Sequence, residues 1–139
     1  ALDVIVQAQI LNLLAELRDK IESSIMLITH DLSIIAEICD KVAVMYAGKI
    51  VEYANSITVM DKPIHPYTRA LVSAFPRIDE DQMTFESIPG APPNMINPPL
   101  GCRFHPRCQF ARDRCHEEEP KITETEPNHL VACYQVGKI

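Results

Sequence analysis

Four cysteines crowd the last part of the chain, Cys102, Cys108, Cys115 and Cys133, with five, six and seventeen residues between successive members. The first residues lack the basic, apolar and small-residue order of an export signal. Thiols kept in a reducing compartment stay reduced, so the pattern points to a metal centre before it points to disulfides. Spacing does not name the metal. Zinc sites gather cysteines in pairs two to four residues apart, and no such pair exists here. The common ferredoxin runs also differ. On residue types alone an iron–sulfur cluster, a zinc ion and uncoordinated or disulfide-bonded cysteines all stay open. Arg103, Arg107, Arg112 and Arg114 surround the thiols; they either offset the negative charge of a thiolate-bound cluster or face solvent. His105 and His129 can each replace a thiol as ligand or serve structure.

Two further residues have types suited to chemistry. His30 follows the short apolar run Ile25-Met26-Leu27-Ile28, and ligands of open α/β sheets gather beyond the carboxyl ends of strands. A histidine tying down a turn is the competing reading. Asp3 precedes a helix, where an aspartate is ordinarily an N-cap.

The elements that must position these residues fall into two stretches of different composition. Val6, Ile10, Leu13, Leu14, Leu17 and Ile21 recur at three- and four-residue steps, predicting a helix from Val4 to about Ile21. Residues 25–28 read as a strand buried on both faces. Asp31 then caps a helix whose face is Leu32, Ile35, Ala36 and Cys39, Cys39 being an ordinary small buried thiol. Val42–Tyr46 and Ile50–Tyr53, joined through Gly48, read as a β-hairpin. Pro66 suits the first turn of a short helix carrying Tyr67, Leu71, Ala74 and Phe75 and ending at Pro76.

Beyond that helix the periodicity fades. Five of the eleven prolines lie between Ile88 and Pro99, predicting an extended connector. The last forty residues show little apolar repeat and an acidic run, Glu117-Glu118-Glu119, so this small segment needs a cross-link or a metal to hold one shape. A helix from Pro106 to Cys115 would set Cys108 and Cys115 two turns apart on one face, with Ala111 leaving space between them.

Composition narrows the partners. Nineteen acidic against thirteen basic residues give a net charge of −6, which disfavours nucleic acid and anionic membrane surfaces. No apolar run approaches the roughly 20 residues that span a bilayer. Only four glycines occur, Gly48, Gly90, Gly101 and Gly137, too scattered to build a phosphate-cradling loop. The opening Ala1-Leu2-Asp3, without methionine and entering a helix at once, reads as cut from something longer.

Ala1-Leu2-Asp3-Val4, then Leu27-Ile28-Thr29-His30-Asp31 one helix later, resemble the D-loop and H-loop of an ABC-transporter ATPase. Gly48-Lys49-Ile50-Val51-Glu52, His65-Pro66-Tyr67-Thr68, Ile88-Pro89-Gly90, Gly101-Cys102-Arg103-Phe104 and Pro106-Arg107-Cys108 sharpen this to the ATP-binding subunits of oligopeptide/dipeptide importers. The resemblance implies an α/β fold class. The expected order is a remnant of the ATPase domain (helix, buried strand, helix, β-hairpin; residues 1–54), a helical segment and proline-rich connector (55–100), and a small irregular cysteine-rich metal-binding extension (101–139).

It also implies roles. His30 would contact the γ-phosphate, and Asp3 would lie at the interface of two ATPase subunits. Cys102, Cys108, Cys115 and Cys133 would hold a four-iron cluster, with zinc the alternative, as a structural staple more than a redox sensor. ATP and magnesium would bind only in the intact parent, whose phosphate loop, magnesium ligands and signature motif lie upstream, so the chain by itself is expected to be inactive. The implied partners are a second ATPase subunit and membrane permeases, at the cytoplasmic face of the membrane. A stand-alone metal-binding interaction module is the rival reading. The exposed edge of an incomplete sheet leads us to expect self-association.

Overall fold

In the computed structural model, residues 4–21, 23–74 and 88–138 are described. The chain divides into two compact units, Ala1–Cys39 and Asp40–Ile139. The architecture is α/β, with helices flanking a small sheet.

The first unit holds two helices. Helix α1 spans Val4–Ile21, as its period predicts, and ends on Arg18 and Lys20, cations suited to the negative end of the helix dipole. Helix α2 spans Leu32–Ile38, and the Asp31 side chain accepts the Ser33 N–H at 2.9 Å, the expected cap. Cys39 is the C-cap residue of α2 and only half-buried. The predicted buried strand does not form. Ile25–Ile28 has no regular structure, and Met26 and Ile28 are 87% and 90% exposed. The reason is pairing: a strand exists only against a neighbour whose N–H and C=O groups complete the ladder, and the described residues of this unit contain none. The apolar face of α1 is likewise open, with Ile10, Leu13 and Leu17 each at least 44% exposed.

The second unit is built on a four-stranded sheet in the order β1-β2-β4-β3. Strands β1 (Lys41–Tyr46) and β2 (Lys49–Asn55) form the predicted hairpin. Ala47 and Gly48 at its tip both take positive φ, 47° and 77°, the primed turn that matches strand twist. A register shift between Val44 and Met45 leaves Val51 unpaired, so that Val51 and Glu52 are both buried although adjacent. Strand β4 (His129–Val131) pairs antiparallel with β2, and β3 (Thr123–Glu126) lies outside it as a charged edge. The C-terminal segment, expected to be irregular, therefore contributes half the strands of the sheet. Between β3 and β4 Asn128 takes φ 60°, a conformation asparagine tolerates in turns.

Three helices accompany the sheet in this unit, and α3 (Ser56–Asp61) packs against β1 and β2. The sequence pattern did not reveal α3, capped by Asn55, whose side chain accepts the Ile57 N–H at 3.0 Å. Helix α4 (Pro66–Ser73) starts on Pro66 as predicted; Phe75 and Pro76, expected on its face and at its end, lie outside the described residues. Residues 88–104 contain no regular element, in keeping with a connector. The helix expected from Pro106 to Cys115 is absent. Instead His105–Arg107 makes one 3-10 turn ending at extended Cys108, and α5 (Asp113–Glu117) starts after extended Arg112. A continuous helix would separate Cys108 and Cys115 by about 10 Å along its axis. Breaking the backbone at both points lets the two residues approach one place.

The core joins the hairpin to the cysteine segment. Val44, Tyr46, Val51, Ala54, Val59 and Phe104 form one buried cluster. The Phe104 ring meets Tyr46 edge-on at 5.1 Å and tilts against Tyr67 at 5.4 Å, geometries favourable to aromatic quadrupoles. Arg107 fastens the connector to this core by donating to the carbonyls of Pro89 (2.7 Å) and Ile88 (3.2 Å). We expect Phe104→Ala to destabilise the protein by about 3–5 kcal/mol through the cavity it leaves. A urea unfolding midpoint unchanged from wild type would contradict that packing role.

A candidate four-thiol site

Cys102, Cys108, Cys115 and Cys133 line one hollow in the second unit, together with His65, Phe104 and Gln135. All four are free thiols. Each arrives on a different piece of backbone: a turn after Gly101, the end of the 3-10 turn, the middle of α5, and the residue two beyond β4. Two of them are pinned by their own backbone, for the Cys102 N–H donates to the Cys115 carbonyl at 2.8 Å. Gly101 permits this approach. Its φ is +68°, and a Cβ there would run into the Cys115 carbonyl oxygen and the His116 backbone.

The sulfurs sit among peptide donors. The Gln135 N–H points at Cys133 Sγ at 3.3 Å. The N–H groups of Phe104 and His105 face Cys102, and that of Phe110 faces Cys108. The donor two residues on is thus repeated at three of the four thiols. Such donors favour the ionised sulfur. Burial opposes them and prevails, holding the thiols of Cys102, Cys108 and Cys133 above their ordinary pKa. A cationic ligand placed among the sulfurs would favour their ionised forms, which is how metal binding couples to proton release. Among the described residues no three His, Cys, Asp or Glu side chains gather around a single point closely enough to hold one metal ion.

The surrounding polar groups have structural tasks. His105 Nδ1 pairs with the Cys102 carbonyl at 2.9 Å, and its ring lies 4.3 Å from that of His116. His129 turns away from the thiol role, its Nε2 bonded to Glu52 at 2.7 Å. Arg103 donates to the Ala47 carbonyl. Arg114 pairs with Glu118 at 3.0 Å and stacks on the Tyr134 ring at 4.1 Å. Arg103, Arg107 and Arg114 thus tie loops and side chains together.

Two residues that the sequence reading passed over support the site. Glu52 is fully buried, and its carboxylate accepts the N–H groups of Ile64 (2.8 Å) and His65 (2.9 Å) as well as His129 Nε2. His65 lines the hollow and caps α4, its Nδ1 accepting the Tyr67 N–H at 3.1 Å. Burial lowers its pKa to about 4, so the imidazole is neutral and suited to accept. The motif His65-Pro66 carried this signal in the sequence; for Glu52 there was none beyond a glutamate inside a strand.

His30 belongs to the first unit. It is exposed at a bend whose flanks are fixed: the Asp31 N–H donates to Thr29 Oγ1 at 3.0 Å, and Asp31 is held by Ser33. Those bonds, from the Ser33 hydroxyl first and its N–H next, keep the Asp31 carboxyl below its ordinary pKa. Asp3 lies outside the described residues.

Residues 51–115 match the family model "Oligopeptide/dipeptide transporter, C-terminal region". The chain is 43% identical, over 99% of its length, to the dipeptide transport ATP-binding protein DppD of Caldanaerobacter subterraneus subsp. tengcongensis, and covers 43% of that protein. It is 48% identical over 97% of its length to the oligopeptide transport ATP-binding protein OppD of Escherichia coli, covering 40% of it. The Lactococcus lactis dipeptide transport ATP-binding protein DppD is 48% identical over 94% of the chain, with 37% of that protein covered. The chain thus spans about two fifths of the length of these curated relatives. It belongs to the ATP-binding subunits of the oligopeptide/dipeptide ABC importers and corresponds to their C-terminal part.

Proposed function

We propose that this chain serves peptide import as the C-terminal part of an ATP-hydrolysing, energy-coupling subunit. It would work beside a second ATPase subunit and membrane permease subunits at the cytoplasmic face of the membrane. The observation that carries this reading is the match to importer ATP-binding proteins along nearly the whole chain. None of the described helices is long and apolar enough to cross a membrane. ATP and magnesium would be bound mainly by parts of such a subunit outside these residues, so the chain alone is expected to leave ATP intact.

Within that machine His30 is assigned to the γ-phosphate and Asp3 to the subunit interface. Phosphoryl transfer asks the protein mostly for positioning and charge stabilisation. An exposed imidazole at the apex of a turn braced on both sides is suited to that task. In an intact importer ATPase carrying these residues, His30→Ala should lower ATP turnover by roughly 100-fold or more, the scale of removing one preorganised stabilising group. Turnover within a factor of two of wild type would remove His30 from the mechanism.

For the C-terminal site we propose a four-iron cluster on Cys102, Cys108, Cys115 and Cys133. In such a cluster each thiolate binds a different iron, so the sulfurs stand around a body and not around a point. Zinc would need all four at about 2.3 Å from one centre. Four thiols lining one hollow from four backbone segments are suited to surround such a body. When bound, the cluster supplies cross-linking of four backbone segments in a part of the protein with a small core. The rival reading, an independent metal-binding module, draws on the compactness of residues 40–139 as a unit. Cys108→Ser should release metal and lower the melting temperature of the chain by several degrees. A variant with wild-type metal content and an unaltered melt would dismiss the staple.

A further inference from the structure

Cys133 stands apart from the other three thiols in how it is held. Cys102, Cys108 and Cys115 lie within fourteen consecutive residues, and Cys102 and Cys115 are linked directly, through the bond from Cys102 N–H to the Cys115 carbonyl. Cys133 arrives from the far side of the sheet sequence, and its backbone is placed by β4. That placement rests on β2: Val131 lies opposite Glu52, and the Ala132 N–H donates to the Val51 carbonyl at 2.9 Å. β4 is only three residues long and has two register partners on β2, a short ladder to carry a ligand.

The Glu52 side chain supplies what that ladder lacks. Its Oε1 is 2.7 Å from His129 Nε2 at the start of β4, and its two oxygens accept the Ile64 and His65 N–H groups ahead of α4. Both Glu52 and His129 are sealed from solvent, at 0% and 1% exposure. His65, held by the second oxygen, is itself a wall of the thiol hollow. One carboxylate therefore locks the strand that delivers Cys133 to the loop that walls the hollow beside it.

We propose that Glu52 is the positioning residue of the four-thiol site, acting through His129 to hold Cys133 in register with Cys102, Cys108 and Cys115; the inference rests on these thiols sharing one metal centre. Burial first, and the Glu52 charge after it, hold the Cys133 thiol's pKa up, so His129→Ala, which keeps that charge, is the variant that isolates positioning. Beyond its share in the stability of the unit, this role sets Glu52 apart by falling on Cys133 ahead of the other three thiols.

The test uses the full chain, purified without oxygen, and its Glu52→Gln variant. Metal, sulfide and zinc contents are measured first, and wild-type protein without bound metal would count against the shared centre itself. Each thiol is then followed by mass spectrometry during alkylation with iodoacetamide. Cys133 should label at least about tenfold faster in the variant, the effect of weakening a local closure by one hydrogen bond to a charged group. Cys102, Cys108 and Cys115 should change by less than about twofold over the same interval, since their own linkage is untouched. Because Glu52→Gln risks global unfolding, His129→Ala is run beside it. That change cuts only the tie to β4 and leaves Ile64 and His65 bonded, and the same selectivity for Cys133 is expected. Equal acceleration at all four thiols in both variants, or no acceleration at Cys133, would overturn the assignment.

Discussion

A carboxylate removed from water must find full compensation nearby, and the second unit of this protein is organised around one such group. Breaking a buried, hydrogen-bonded charge by removing one partner typically costs about 3–5 kcal/mol, a large share of the stability of any small domain. Glu52 finds three partners on two separate segments: two peptide N–H groups before α4 and the His129 imidazole on β4. The hairpin, the helix and the C-terminal strands are thereby committed to one arrangement.

The thiol hollow sits on this frame. Phe104, between Cys102 and Cys108, enters the aromatic cluster of Tyr46 and Tyr67 and anchors the two thiols beside it. Gly101 brings the backbone of Cys102 against that of Cys115. The residual problem is electrostatic, because buried thiols resist ionising and four ionised sulfurs repel one another. Peptide donors at three of them ease the cost without removing it. A site prepared in its backbone and incomplete in its charge is a site suited to a cationic centre.

How much of this could be read from the residues depended on whether the signal was local. The cap at Asp31, the first-turn proline at Pro66, the positive-φ turn at Gly48 and the long period of α1 are decided within a few residues, and they formed where expected. The run Ile25–Ile28 is apolar enough for a strand, but a strand also needs a neighbour, and pairing is not written in the run itself. Thr123–Glu126 gave the opposite error, since an edge strand with charged side chains carries no apolar alternation to notice. The supposed helix through Cys108 failed because the backbone breaks at Cys108 and Arg112, where the long-range packing of Phe104 and the Cys102–Cys115 contact outweigh local helical preference. Glu52 was invisible for a related reason. A glutamate inside a strand reads as solvent-facing, and only the bulge at Val51 and its remote partners make it the inward charge of the sheet. The cysteines were legible as a group from their density, while the four backbone routes that bring them together were not.

The central claim is that four thiolates of this chain enclose one iron–sulfur body. Iron and acid-labile sulfide counted together, with zinc, on protein isolated anaerobically address it most directly. About four irons and four sulfides per chain are predicted, lost together when any one of the four cysteines is replaced. One tightly held zinc with no sulfide, or four thiols that all react freely with alkylating agent in freshly isolated protein, would contradict it.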